Sequence, residues 1–270
     1  MRALVDPSAR VDATAQLAAG VVVGAGAVIG PGCVLHPYAI VGPNTTLGAG
    51  CHVHSFAVIG ADAQDRRTPS DAPTRLVCGP DNVFREHVTV SRGSAHGGGV
   101  TRLGAGNLLM AGAHVGHDCM LGDAVTLANG VSLAGHVEIH DRAGLGGHAA
   151  VHQFARVGAL AFVAANAMVS QDVPPYCLAV GDHARLYGLN VTGLRRAGLP
   201  RDVRDALHRA FRLRLTGPAA RRRDAVTLAE LEALSAHAEV RSFLGFLAEG
   251  RRGVCRAHRA AQAVDSAGPG

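Results

Sequence analysis

Between Gly112 and Gln153 the chain carries six of its fifteen histidines. Three of them, His117, His136 and His152, stand 19 and 16 residues apart, and Asp118 follows the first directly. An imidazole beside a carboxylate suits general-base work, because it titrates near neutrality and the carboxylate can fix its tautomer. Three histidines could instead ligate a metal, or form a polar ladder with no chemical role. The choice depends on whether the three meet in space.

A period of six answers that. Aliphatic residues recur at Val5, Val11, Leu17, Val23, Ile29, Leu35, Val41, Leu47, Val53 and Ile59. The period returns briefly at Cys78, Phe84 and Val90, then runs from Leu103 to Val169 without a slip. Such a repeat predicts a parallel β-helix, with one short strand and one corner per hexad. The aliphatic should point inward, and Gly, Asn or Asp should supply the corner. Three hexads close a coil of 18 residues, and about eight coils at ~4.8 Å spacing make a prism roughly 40 Å tall. Position modulo 18 then places His117, His136 and His152 within one residue of a common azimuth on consecutive coils. Asp118, Gly135 and Gln153 join them, His114 lies about half a face away, and His140 and His148 fall elsewhere.

Two polar stretches, 61–77 and 93–102, break the period and should leave the prism as loops. Pro174-Pro175 suits a chain leaving the ladder. From about Asn190 the pattern turns helical: Leu199, Val203, Leu207 and Phe211 form one stripe. Thr227 with Glu230 reads as a capping box, and Val240, Phe243, Leu244 and Leu247 mark a further helix. The expected domains are a β-helix over 1–189, a helical domain over 190–262 and a flexible tail over 263–270.

Composition narrows the classes. Tryptophan is absent and all 26 basic residues are Arg. Residues 1–189 hold 11 Arg against 13 acidic residues, net −2, whereas 190–270 hold 15 against 8, net +7. That basic end could meet an acidic partner. The six cysteines form no C-x-x-C pair, which argues against a disulfide scaffold and a thiolate zinc site. With no apolar leader and no long apolar run, the expectation is a cytoplasmic protein without stable membrane insertion. Nothing points to nucleic acid.

The motifs AHVGHDC, LAGHV, AVHQF, QDVPPYCLAVGDHA and GLNVTGLRR, preceded by FREHVTVSRG and GGGVTRLGAGNLLM, resemble the acyl-ACP–UDP-N-acetylglucosamine O-acyltransferase family over essentially the whole chain. The resemblance implies a mainly β fold, a left-handed parallel β-helix of hexapeptide repeats with a small C-terminal α-helical domain. It implies transfer of a 3-hydroxyacyl chain from acyl carrier protein to the 3-hydroxyl of UDP-N-acetylglucosamine, the first step of lipid A biosynthesis. It also implies a homotrimer with sites between prisms, an acidic acyl carrier protein as partner, and no cofactor or metal. His117 then matches the base, Asp118 its orienting partner, and Gly135 the backbone N–H that stabilises the thioester oxygen. His114, His136, His152 and Gln153 match substrate positions. Asp65 and Arg67 match sugar-nucleotide contacts, Asn190 and Arg196 a nucleotide region, and His183 a pocket position.

Departures from the family pattern spare the histidine column: Arg67 for lysine, Ser91 for histidine, Thr192 for an acidic residue, Ala197 for arginine. Ala165 replaces the glycine at the floor of a long acyl groove, which predicts a shorter preferred chain. The competing readings are the same chemistry on a 3-amino or other UDP-amino sugar, and a hexapeptide-repeat carbonic anhydrase. The latter's H-x-x-x-x-H pair is missing, since Gly122 and Asp141 stand where it would need histidine. The sister enzyme that N-acylates a UDP-sugar has an extra N-terminal domain, for which a repeat beginning at Val5 leaves no room.

Overall fold

The computed structural model describes residues 2–69, 71–216, 225–250 and 252–258. Among the described residues, strands of mostly two residues pair in parallel with the strand three further along, giving sheets of nine, eight and ten strands, the last of which ends in one antiparallel pair. The register is 18 residues along the loop-free coils, as in Leu109↔Leu127↔Leu145↔Val163, and shortens to 16 at the last coil, where Val163 pairs with Ala179. The chain is thus a left-handed parallel β-helix of hexapeptide repeats followed by helices.

Each hexad turns two side chains inward, not one. From Val21 on, the aliphatic is buried, and so in most hexads is a smaller residue two positions before it: Ala27 with Ile29, Cys33 with Leu35, Ala113 with Val115, Cys119 with Leu121. A narrow triangular coil has room for one large and one small residue per side. Cysteines 33, 51 and 119 therefore sit at the small-residue position, and all six cysteines are buried and free.

Gly, Asn and Asp hold many of the corners, as at Gly20, Gly26, Asn44, Asp81 and Gly130, but other residues hold the rest. Left-handed backbone occurs at Tyr38, Phe56, His87, His136, Arg142, Phe154 and Leu160, among others. Two interactions offset the ~1–2 kcal/mol that this conformation costs a non-glycine residue. The corner N–H reaches the carbonyl one coil earlier, as from His136 N to His117 O at 2.9 Å. Outward rings also stack along the edge: Tyr38 on Phe56, Phe56 on His87, His136 on Phe154.

The Pro pair does not end the prism. Val173 forms a parallel bridge to Val157, and Cys177–Val180 still adds in parallel to Phe162–Val163. Pro174 and Pro175 occupy the corner between them, where the ladder needs no N–H. The chain reverses afterwards, when Arg185–Leu189 pairs antiparallel with Cys177–Val180.

Four helices follow among the described residues: α1 (Val191–Arg196), α2 (Arg201–Leu215), α3 (Ala225–Leu234) and α4 (Ala238–Ala248). Val203, Leu207 and Phe211 face inward from α2, and Val240 and Phe243 from α4. Thr227 lies within α3, so it is not the cap that its spacing to Glu230 predicts. A buried ion pair fastens this region to the prism. Arg156 holds Asp172 at 2.9 Å, donates to the Phe246 carbonyl at 3.1 Å and lies 4.1 Å over the Phe246 ring. The tail 263–270 lies outside the described residues.

Candidate active site

The residue at each left-handed corner projects outward, and three successive coils put Asp118, His136 and Phe154 in one such column. His117 and Gly135 form the neighbouring column. His117 Nδ1 lies 2.8 Å from Asp118 Oδ2, and His136 Nε2 lies 3.7 Å from the same oxygen. The two imidazoles meet edge to face at 5.2 Å, and Phe154 stacks on His136 at 4.5 Å. His117 is largely buried and Asp118 nearly completely so. Burial works against the Asp118 carboxylate, but hydrogen bonds from Ser94 and His117 outweigh it and keep the group below its ordinary value.

Gly135 has a local reason beyond leaving room for a ligand. A Cβ there would lie 2.6 Å from His117 Cε1 and 2.8 Å from Nε2, so the imidazole rests on the bare Cα. Among the described residues the Gly135 N–H has no hydrogen-bond acceptor.

Two cavities meet at His117. One, of about 420 Å³, is lined by Ser91, His114, His117, Gly135, His152 and Met168, among others. Its floor follows one outward register, His114↔Ser132↔Ala150↔Met168, so it runs along the sheet face. Three strand spacings make that run ~14 Å. The other cavity, of about 660 Å³, is lined by Gln64, Asp65, Arg66, Arg67, His136, Gln153 and Phe154, again with His117. Here Arg67 pairs with Asp65 at 2.9 Å, and its hydrogen bonds hold that carboxyl down at about 2. His114 Nδ1 lies 2.8 Å from Thr89 Oγ1, and burial lowers its imidazole below the usual value. His152 is exposed and bonds the Gln153 carbonyl at 3.1 Å.

Of the remaining expected residues, only His183 comes near the first cavity, at its Met168 end. Ala165 is exposed at a different corner and lines neither cavity. His183 occupies the turn beside Met168, whose carbonyl accepts from Ala184 N at 2.8 Å. Asn190 is engaged structurally: Oδ1 caps α1 at Gly193 N and Nδ2 donates to the Leu160 carbonyl, both at 3.0 Å. Arg196 is exposed at the end of α1. Within one chain, then, the Asn190–Arg196 segment belongs to a different part of the prism from His117. His140 packs edge to face on Phe246, away from the cluster.

Three neighbours escaped the sequence reading. Phe154 was legible in principle, 18 residues after His136. Gln64 lines both cavities but belongs to a loop outside the period. Ser94 contacts Asp118 through the other loop. As for metal, His117, Asp118 and His136 offer ligand atoms within 4.8 Å of one another. Asp118 Oδ2, however, already accepts from His117 and from the Ser94 N–H and hydroxyl, so an ion would have to displace these.

Comparison with known proteins identifies the family. Residues 172–255 match the family described as "Udp N-acetylglucosamine O-acyltransferase; Domain 2", and 27–61 match "Bacterial transferase hexapeptide (six repeats)". The acyl-ACP–UDP-N-acetylglucosamine O-acyltransferase of Anaeromyxobacter sp. (strain K) is 42% identical over 184 residues, 68% of this chain and 70% of that protein. The crystal structure of UDP-N-acetylglucosamine O-acyltransferase from Moraxella catarrhalis is 32% identical, with a TM-score of 0.86, covering 94% of this chain and 98% of that one. The Campylobacter jejuni UDP-N-acetylglucosamine acyltransferase is 34% identical, with a TM-score of 0.78, covering 94% and 100%. With relatives this similar over most of both chains, the protein belongs to the acyl-ACP–UDP-N-acetylglucosamine O-acyltransferase family.

Proposed function

We propose that the chain transfers a 3-hydroxyacyl group from acyl carrier protein to the 3-hydroxyl of UDP-N-acetylglucosamine, as the first step of lipid A biosynthesis, with His117 as general base. The observation that carries this is the place of His117 between two unlike cavities. One follows a sheet face over Ala150 to Met168 and suits an acyl chain. The other gathers Asp65, Arg67 and Gln153 and suits a polar sugar nucleotide.

In this reading His117 Nε2 takes the proton of the sugar hydroxyl as its oxygen attacks the thioester carbonyl. The Gly135 N–H donates to the oxygen that gains charge. Collapse of the intermediate breaks the C–S bond, and the imidazolium returns its proton to the departing carrier thiolate. Neither metal nor organic cofactor enters the reaction. Burial keeps His136 below the ordinary imidazole value, which favours its neutral form against the substrate.

A homotrimer would bring Asn190, Arg196, His183 and Ala165 of one copy opposite His117 of the next. The exposed arginines of α2, Arg201, Arg209, Arg212 and Arg214, offer acyl carrier protein a basic face. No helix among the described residues is long and apolar enough to cross a membrane.

The deciding experiment presents acyl carrier proteins of graded chain length to UDP-N-acetylglucosamine and to its 3-amino analogue, reading products by mass. An ester product supports this reading. An amide product with the analogue alone would replace the acceptor, and no acyl transfer to either would refute the activity.

A further inference from the structure

The loop 93–99, which breaks the hexad period, closes over Asp118. Ser94 is buried, and its N–H lies 3.1 and 3.0 Å from the two carboxylate oxygens. Its hydroxyl donates to Oδ2 at 2.6 Å, and the Gly99 N–H donates to Oδ1 at 3.1 Å. On the other side Thr101 Oγ1 accepts from the Asp118 N–H at 2.8 Å.

The glycines of GSAHGGG make this closure possible. A Cβ on Gly97 would lie 2.3 Å from Oδ2, 2.5 Å from Cγ and 2.7 Å from Oδ1, so the bare Cα of Gly97 covers the carboxylate. A Cβ on Gly93 would lie 2.1 Å from the Gly99 carbonyl carbon, where the base of the loop pinches shut. Only one edge of the carboxylate is left, and His117 Nδ1 takes it at 2.8 Å. With Nδ1 held there, Nε2 is turned over Gly135, where the two cavities meet.

We propose that Ser94 and Gly97 are positioning residues for the transfer, fixing the Asp118 carboxylate so that it can hold His117 Nδ1 and present Nε2. The inference rests on His117 being the base. An orienting carboxylate free to rotate would leave the imidazole in either tautomer and several orientations, and a base misplaced by ~1 Å can lose on the order of 100-fold in rate. The hydroxyl of Ser94 matters because it supplies the shortest bond to the oxygen that also meets His117.

The test is steady-state acyl transfer by Ser94→Ala, Ser94→Thr and Gly97→Ala, each also made with His117→Ala. Thermal melting checks folding. Ser94→Ala should lower kcat by roughly 10- to 100-fold with KM for both substrates within about twofold, because the loss falls on the base and not on binding. Ser94→Thr keeps a hydroxyl and should recover most of the rate. Gly97→Ala should lower kcat to a similar extent by displacing the carboxylate. On the His117→Ala background neither change should lower the residual rate further, since no base is left to orient.

A folded Ser94→Ala enzyme with wild-type kcat would overturn the proposal and leave His117 as the base. So would an equal loss on the His117→Ala background, which would mark Ser94 as merely structural. Wild-type turnover by His117→Ala would instead remove the base assignment, and the positioning role with it. If Ser94→Ala does not fold, Gly97→Ala carries the same decision.

Discussion

At the residue scale the site is made of atoms that leave each other little freedom. Gly135 is the plainest case. A methyl group there must push the His117 ring, and that ring is tethered at Nδ1 to a buried carboxylate. Gly135→Ala should therefore cost kcat on the order of 100-fold, since it disturbs both the proposed base and the N–H proposed to meet the oxyanion. Single-turnover acyl transfer measures this, and an unaltered rate would separate Gly135 from the chemistry. The histidines also set a pH limit on the fold. Burial holds His114 and His136 below 6.5, and at His136 it outweighs the opposing pull of Asp118. An unfolded chain binds these protons first as pH falls, so stability present above 6.5 should drain away below it and level off once the folded groups titrate. Melting temperature followed from pH 8 to 5 should show that decline, with a smaller one in His114→Gln. Much of this cluster was legible, because 117, 135 and 153 share one remainder modulo 18, and 118 and 136 share the next. Ser94 and Gln64 were not, because a loop returns to the prism at a point that no period encodes.

At the scale of elements, the hexad dictates far more than its loudest position. The aliphatics announce the strands; the small inward partners recur as regularly, at Ala27, Cys33, Ala39, Cys51 and Ala57, but a small side chain suits either face, so its type does not announce burial. The aromatic corners were missed for a related reason: Tyr38, Phe56 and Phe154 are tolerated in left-handed backbone by stacking between coils, a contact absent from any local window. The joint between prism and helices was invisible too. Arg156 lies 16 residues before Asp172 and 90 before Phe246. With Asp172 fully buried, removing its partner strands a charge. Arg156→Ala should destabilise by ~3–5 kcal/mol and release the α2–α4 region first. Urea unfolding with limited proteolysis resolves the order. Loss of the prism together with the helices, in one transition, would show that the joint is not a separate weak point.

At the scale of the whole molecule, one chain does not assemble all the residues that the family resemblance brings to the reaction. His117 and its two cavities lie on one corner and face, while Asn190 caps α1 beside the Leu160 carbonyl at another corner, with Arg196 beyond it. A prism this regular cannot fold one edge onto another, so the two sets meet only if copies of the chain stand side by side with unlike edges facing, a heterologous contact that closes as a ring. That arrangement makes a specific demand of mixed assemblies. His117→Ala and Arg196→Ala should each be nearly inactive alone, the first for want of a base and the second for want of a nucleotide contact. Unfolded together in equal amounts and refolded, they should regain about a quarter of the wild-type rate, because random mixing gives each interface that chance of drawing His117 from one intact partner and Arg196 from the other. Sites contained in a single chain would regain nothing, since every chain would still carry one lesion. The same mixture kept as separately folded proteins is the control, and activity there would mean that subunits exchange without unfolding. Recovery near a quarter, with the mass of a trimer in light scattering, would place the active site between copies of the chain.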